Sequence, residues 1–156
     1  MEIYRIEQSN GKGICMALGS PLCPIYRLAA RLAGEESEFE RDRFPDRCEQ
    51  CKAFDAVAFD PSGEFGRERE HMRYAFPSLM ALKEWFPGSE GRKAMQSAGA
   101  VGIAYDVPEL VASGPWQCVF DLRRATEAYR FDLGTFDPIR EPDPWARYPA
   151  WADPNR

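Results

Sequence analysis

The sequence is poor in the residues on which many catalytic and membrane functions depend. His71 is the single histidine. Any catalytic or metal site that needs two histidines is therefore excluded. No stretch approaches the roughly 18 consecutive apolar residues that a membrane-spanning helix needs, and the N-terminus lacks the basic and then apolar run of a signal peptide. We therefore expect a cytoplasmic chain with no membrane partner.

Lysine is also scarce, since sixteen of the twenty basic residues are arginine. The formal net charge is -5, and binding to phosphates needs clustered basic residues, so we expect no direct nucleic-acid binding. The stretch from Glu35 to Glu49 holds seven acidic residues and three arginines. Its carboxylates are candidate partner-binding residues, because they would attract a basic surface from a distance. These candidates are Glu35, Glu36, Glu38, Glu40, Asp42 and Asp46.

Composition and periodicity predict a single α+β domain over residues 1–136. A length of 156 residues with 44% hydrophobic residues is sufficient for one core. The pattern predicts a mainly antiparallel sheet covered by two or three helices. Strands are expected within residues 2–18, where an Asn-Gly turn forms a hairpin, and within residues 72–76, 100–107 and 116–133. Helices are expected at residues 24–33 and 78–98, with an interruption at Pro87-Gly88.

Two of these elements carry a more detailed expectation. In the first helix, Ile25, Leu28 and Leu32 fall on one face. In residues 100–107, bulky residues alternate with a nearly bare face around Gly102, which suits a helix packed closely on that face. Ser78 is a candidate N-cap for the next helical stretch.

The C-terminal residues 137–156 are rich in proline and tryptophan. Proline fixes φ and removes a ladder donor, so we expect an extended arm. Trp145, Tyr148 and Trp151 need a surface. That surface is either the protein's own body or, as in a peptide-like docking arm, a partner.

Cys48-x-x-Cys51 is the sharpest local spacing in the chain. The pair predicts a zinc site, a redox pair or plain cytosolic thiols. Zinc would need further ligands, for which Cys15, Cys23, Cys118 and His71 are the candidates. Because no second Cys pair or His pair follows, plain thiols and no cofactor are the favoured interpretation.

Several segments resemble small proteins encoded by tailed phages and prophages. The resemblance lies in Tyr4-Arg5-Ile6-Glu7, Gly11-x-Gly13, Tyr74 to Leu79, Leu82-x-x-Trp85-Phe86, Val101 to Pro108 and Gln117 to Phe120. It implies a protein acting in the bacterial host cytoplasm, where inhibitors of CRISPR or other defence complexes are one familiar class. We therefore expect an interaction protein that binds a host protein or ribonucleoprotein complex and inhibits or redirects it.

A second resemblance suggests an enzyme. The order of parts is similar to that in NAD-dependent ADP-ribosyltransferases. That resemblance implies that Arg5 holds a pyrophosphate, that Tyr74 or Ser78 lines a nicotinamide pocket, and that Gln117 lies where the family has its catalytic Glu. The alternative to an interaction protein is therefore an enzyme of this kind, either active or degenerate, because a Gln lacks the carboxylate that stabilises positive charge on the ribose.

Overall fold

A computed structural model of the protein describes residues 1–8, 11, 13, 22–35, 71–114 and 117–139. Within these ranges the chain forms three α-helices and seven strands, so the predicted α+β class is confirmed. In chain order, the elements are β1 (Glu2–Glu7), α1 (Leu22–Leu32), β2 (Met72–Ala75), α2 (Leu79–Trp85), α3 (Ser89–Ser97), β3 (Val101–Asp106), β4 (Ala112–Ser113), β5 (Cys118–Asp121), β6 (Thr126–Phe131) and β7 (Pro138–Ile139).

The strands divide into two antiparallel sheets. One has the order β1-β3-β6-β7 and the other the order β2-β5-β4. The sheets are linked at Tyr4 and Phe76, whose backbone groups exchange hydrogen bonds of 2.9 and 2.7 Å. The antiparallel pairing was predicted, but the division into two sheets was not. The sheets are separate because β1 forms a full ladder with β3 but joins the second sheet through the single Tyr4–Phe76 bridge, next to the end of β2.

Two hydrophobic clusters hold the layers together. Because side chains alternate across a strand, β1 sends Ile6 toward the helices and Ile3 toward the second sheet. The cluster between helices and four-stranded sheet includes Ile6, Tyr26, Leu82, Trp85, Phe86, Met95 and Phe131. The cluster between the two sheets consists of Ile3, Ala75, Ile103, Tyr105, Val107, Cys118 and Phe120. The helices and the second sheet thus cover opposite faces of β1 and β3.

Helix α1 turns a different face to the core than its apolar periodicity predicted. Tyr26 and Ala30 are buried, whereas Leu28 and Leu32 are 58% and 80% exposed. The reason is the contact with α3, where a Cβ atom on Gly91 would lie 2.5 Å from two ring atoms of Tyr26. The Tyr26 ring occupies the space that Gly91 leaves, and this fixes the rotation of α1.

The predicted interruption at Pro87-Gly88 is confirmed, because α2 ends at Trp85 and α3 begins at Ser89. Ser78 is the N-cap of α2, and its hydroxyl oxygen accepts a 3.0 Å hydrogen bond from the Ala81 amide. A cap of this kind satisfies an amide that the first helical turn leaves unpaired.

The bare face of β3 is filled mainly by an aromatic ring from the neighbouring strand. Gly102 pairs with Phe131 in β6, and a Cβ atom on Gly102 would lie 2.6 and 2.7 Å from two atoms of the Phe131 ring. The sequence predicted a helix packed closely on this face. The close contact at Gly102 is instead made by the Phe131 ring of the neighbouring strand, which lies over the glycine.

Other predictions of the sequence fall partly outside the described residues. Residues 14–18, the predicted second strand of the hairpin, lie outside them. In the predicted arm, Pro138–Ile139 pair with β6, and residues 140–156 lie outside the described ranges. The boundary at residue 137 stays a prediction. No helix in the described part of the chain has the length and apolarity to cross a membrane.

Candidate functional site

Two oppositely charged side chains lie buried between the sheets. Arg5 and Glu7 follow Ile3 on the same face of β1, and the Arg5 Nε atom donates a 2.7 Å hydrogen bond to Oε1 of Glu7. The two side chains are only 5% and 9% exposed. A buried charge is costly unless it is paired and hydrogen-bonded, so the remaining polar atoms of this pair need partners as well.

Those partners come from three other parts of the chain. Tyr105 of β3 donates a 3.1 Å hydrogen bond to Oε1 of Glu7. The Arg5 Nη1 atom donates to the backbone carbonyl of Tyr74, and Nη2 donates to that of Gly11 at 3.4 Å. The guanidinium group therefore ties β1 to β2 and to the turn after β1. Every nitrogen of Arg5 has an acceptor.

Burial also sets the protonation behaviour of this cluster. Desolvation lowers the pKa of the Arg5 guanidinium, and the charge of Glu7 opposes that shift. Desolvation raises the pKa of Tyr105 from 10.0 to about 12, and the neighbouring Glu7 carboxylate adds to the rise. Tyr105 is consequently held as a protonated hydrogen-bond donor at neutral pH.

Two glycines after β1, Gly11 and Gly13, lie near the Arg5 guanidinium, and residues 9, 10 and 12 of the predicted turn lie outside the described residues. Gly11 has a φ of 76°, which favours glycine. A Cβ atom on Gly13 would lie 3.2 Å from Nη2 of Arg5. The missing side chain of Gly13 thus leaves space for the buried arginine.

The residues suggested as a cofactor site are only partly brought together. Arg5 meets Tyr74 at its backbone, while the Tyr74 side chain packs with Met72 and Val119. The Ser78 hydroxyl oxygen caps α2, and the Gln117 carbonyl accepts a 2.7 Å bond from the Gly114 amide. These contacts give Arg5 and Ser78 structural tasks, and their roles in binding a cofactor stay predictions.

Of the predicted partner-binding residues, the structure describes Glu35 alone. Its carboxylate lies at the start of α3, where it accepts a 3.2 Å bond from the Glu90 amide and a 3.4 Å bond from the Ser89 hydroxyl. A carboxylate there stabilises the helix, because it meets unpaired amides and the positive end of the helix dipole. The other members lie outside the described residues: Glu36, Glu38, Glu40, Asp42, Asp46, Trp145, Tyr148 and Trp151.

The thiols that the structure describes are buried in separate places. Cys23 belongs to the cluster beneath the helices and Cys118 to the cluster between the sheets. Burial raises the pKa of the Cys118 thiol to about 12. Within the described ranges no three potential ligand side chains gather around a common point. Cys48 and Cys51 lie outside those ranges, so the zinc, redox and plain-thiol interpretations of this pair all stay predictions.

A family model described as the bacteriophage T4 Y00F protein matches residues 1–134. The chain belongs to this phage protein family. No curated protein and no solved structure matches the chain, and the comparisons show no similarity to ADP-ribosyltransferases.

The family match covers the buried Arg5–Glu7 pair and all of the acidic stretch, and it ends before Trp145. The expected resemblance to phage-encoded proteins is therefore confirmed at the level of a phage protein family.

Sequence reasoning missed a second buried arginine, Arg92 of α3, which is 3% exposed. Its guanidinium donates to four backbone carbonyls, those of Phe86, Pro87, Leu133 and Gly134, at 2.6 to 3.3 Å. The Phe136 ring lies 4.6 Å from its Cζ atom. Arg92 thus fastens the link between α2 and α3 to the turn after β6. An arginine in an otherwise polar helix gave no sequence signal of this role.

A group of one carboxylate and two tyrosines was also missed. Tyr129 donates a 3.0 Å hydrogen bond to Oε1 of Glu2, and the Tyr4 hydroxyl donates to the same atom. The strand register places Tyr4 of β1 and Tyr129 of β6 on either side of Ala104 of β3. Their separation by 125 positions in the chain hides this contact from local patterns.

Proposed function

We propose that the protein is a phage accessory protein that binds a host macromolecule with a basic surface and inhibits or redirects it. A host defence complex, whose nucleic-acid site is basic, is the class of partner that fits this chemistry. The acidic residues after Glu35 would supply long-range attraction, and Trp145, Tyr148 and Trp151 would be the anchors.

One observation carries this proposal: the buried charges are used inside the fold, whereas the excess negative charge lies in one short stretch of sequence. Arg5, Glu7 and Arg92 are the charged residues buried in the described part of the chain, and each is bonded within it. Residues 35–49 contain seven acidic residues and three arginines, so they carry most of the net charge of -5. A segment with a net charge of one sign attracts a partner surface of the opposite sign.

Membership of a phage protein family supports the same proposal. A protein made during infection meets host macromolecules in the cell. Negative charge would also compete for a basic nucleic-acid site without a catalytic step.

The proposal is tested by affinity capture from host cells with the whole chain as bait. A matched bait ends after Ile139, which keeps the β6–β7 pairing and removes the aromatic arm. We expect one partner in a stoichiometric amount with the whole chain. We also expect its recovery to fall as salt rises from about 0.05 to 0.5 M, because salt screens exposed charges, and to fall again for the shortened bait.

Recovery that neither salt nor the shortening changes would overturn the proposal. A partner with an acidic surface would contradict it as well, because like charges repel.

A further inference from the structure

The surface formed by Glu2, Tyr4 and Tyr129, here the tyrosine surface, has an exposed carboxylate beside two half-buried rings that pack against the cluster between the helices and the four-stranded sheet. One row of this sheet, Ile6, Gly102 and Phe131, lies toward the helices. The next row consists of Tyr4, Ala104 and Tyr129. Ala104 is 0% exposed, while the two tyrosines beside it are half-buried. The ring of Tyr4 is supported by an edge contact with Phe131, at 6.1 Å between centroids.

The carboxylate of this surface has unused hydrogen-bonding capacity. Both tyrosine hydroxyls donate to Oε1 of Glu2, and within the described residues these are the bonds that the carboxylate accepts. Its second oxygen, Oε2, is left for another donor. The neighbouring Asp106 carboxylate differs, because it is paired with the amino group of Met1 at 2.9 Å. Burial, the largest cause, raises the pKa of both Tyr4 and Tyr129, so their hydroxyls stay protonated and keep Glu2 oriented.

We infer that the tyrosine surface binds a cationic side chain, and that arginine is its best chemical match. A planar guanidinium group stacks on a tyrosine ring and at the same time donates a charge-assisted hydrogen bond to a carboxylate oxygen. The half-buried rings supply the stacking face, and Oε2 of Glu2 supplies the acceptor. The inference rests on the proposed function in one respect: a basic host surface would provide the arginine, and this site would add a specific contact to the long-range attraction.

A purely structural role is the competing explanation, because the same hydrogen bonds connect β1 to β6 across β3. The two explanations differ in what happens when a small cation is added. A structural tie takes up no ligand, whereas a binding site gives a saturable response that depends on the charge of the ligand.

The experiment is an NMR titration of the whole chain with N-acetylarginine amide, and with N-acetylcitrulline amide as its neutral analogue. We expect saturable shifts centred on Tyr4, Ala104 and Tyr129 with the arginine compound, and much weaker ones with the citrulline compound. Glu2→Gln should weaken binding by about 1.5- to five-fold, the range of a single exposed ion pair. Glu84→Gln removes the same charge from an exposed position on α2 and should leave the affinity unchanged.

A second pair of variants separates the ring from the hydroxyl. Tyr129→Phe keeps the stacking face and should retain affinity within about two-fold, whereas Tyr129→Ala should weaken binding about two- to five-fold while the protein stays folded. Equal shifts with both compounds, or equal effects of Glu2→Gln and Glu84→Gln, would overturn the inference. Because the probe is a small molecule, failure here leaves the capture result standing, and failure of the capture leaves this site standing.

Discussion

At the residue scale, Gly91 shows how one missing side chain determines a helix contact. Any Cβ atom at this position would lie 2.5 Å from the Tyr26 ring and 2.9 Å from the Tyr26 carbonyl oxygen. Alanine has the higher helix propensity, by about 1 kcal/mol. The clash opposes this gain, because overpacking a core costs about 1–3 kcal/mol.

We therefore predict that Gly91→Ala lowers the free energy of unfolding by up to about 2 kcal/mol, as measured by urea denaturation. Ser97→Ala, at an exposed position of the same helix, should change it by less than about 0.5 kcal/mol. A stabilised Gly91→Ala protein would show that α1 does not pack on α3 in this way.

The buried ion pair gives a second prediction at this scale. Glu7→Gln leaves the Arg5 guanidinium buried without its carboxylate, and breaking a buried pair in this way costs about 3–5 kcal/mol. Glu127→Gln is the matched control, because it breaks an Arg130–Glu127 pair in which both side chains are 42% exposed. That exposed pair should contribute less than about 1 kcal/mol. Equal losses in the two variants would contradict the burial of Arg5 and Glu7.

The buried tyrosine and thiol between the sheets predict a loss of stability at alkaline pH. The pKa of Tyr105 is raised from 10.0 to about 12, and that of Cys118 from 9.0 to about 12. Below about pH 8 both groups are mostly protonated in the folded and unfolded states. As pH rises toward 12, the unfolded chain loses these protons first, so unfolding becomes more favourable.

Urea denaturation under reducing conditions between pH 8 and about 11.5 measures this effect. We expect the free energy of unfolding to fall across the range, and to fall less steeply in Tyr105→Phe. A flat profile for the natural sequence would be inconsistent with the buried positions of these groups.

At the scale of elements, the sequence predicted what local signals determine. Pro87-Gly88 separates α2 from α3, and Ser78 caps α2, because both effects operate within a few residues. The buried face of α1 was predicted wrongly, since it depends on the distant Gly91. The candidate site was harder to predict than these elements. The resemblance suggested Arg5 as a cofactor ligand, whereas the partners that bury it are carbonyl groups from β2 and from Gly11, which local patterns do not reveal.

Substitutions at Glu35 and at the acidic residues after it test the stability of α3 and the proposed partner binding separately. Because its carboxylate meets the start of α3, Glu35→Gln should lower the free energy of unfolding by about 0.5–1 kcal/mol and leave partner affinity unchanged. The triple variant Glu36→Gln, Glu38→Gln and Glu40→Gln should show the opposite pattern. Denaturation and binding assays on both variants measure this, and a loss of affinity confined to Glu35→Gln would contradict the division.

At the scale of the whole molecule, charge has one task that the structure shows and a second task that we propose. The charges buried in the described residues hold the layers together through Arg5, Glu7 and Arg92. The surplus negative charge is concentrated in residues 35–49, which belong to the part of the chain matched by the phage protein family. Composition alone predicted the second task. The first became visible only when the register of β1 and the position of α3 were known.

The most direct test of the proposed function is the affinity for the captured partner as a function of salt, compared between the natural sequence and the Glu36, Glu38, Glu40 triple variant. The account predicts that the natural sequence loses affinity steeply between about 0.05 and 0.5 M salt, and that the triple variant binds more weakly at low salt with a shallower dependence. Two identical curves would contradict it, because the acidic stretch would then contribute nothing to binding.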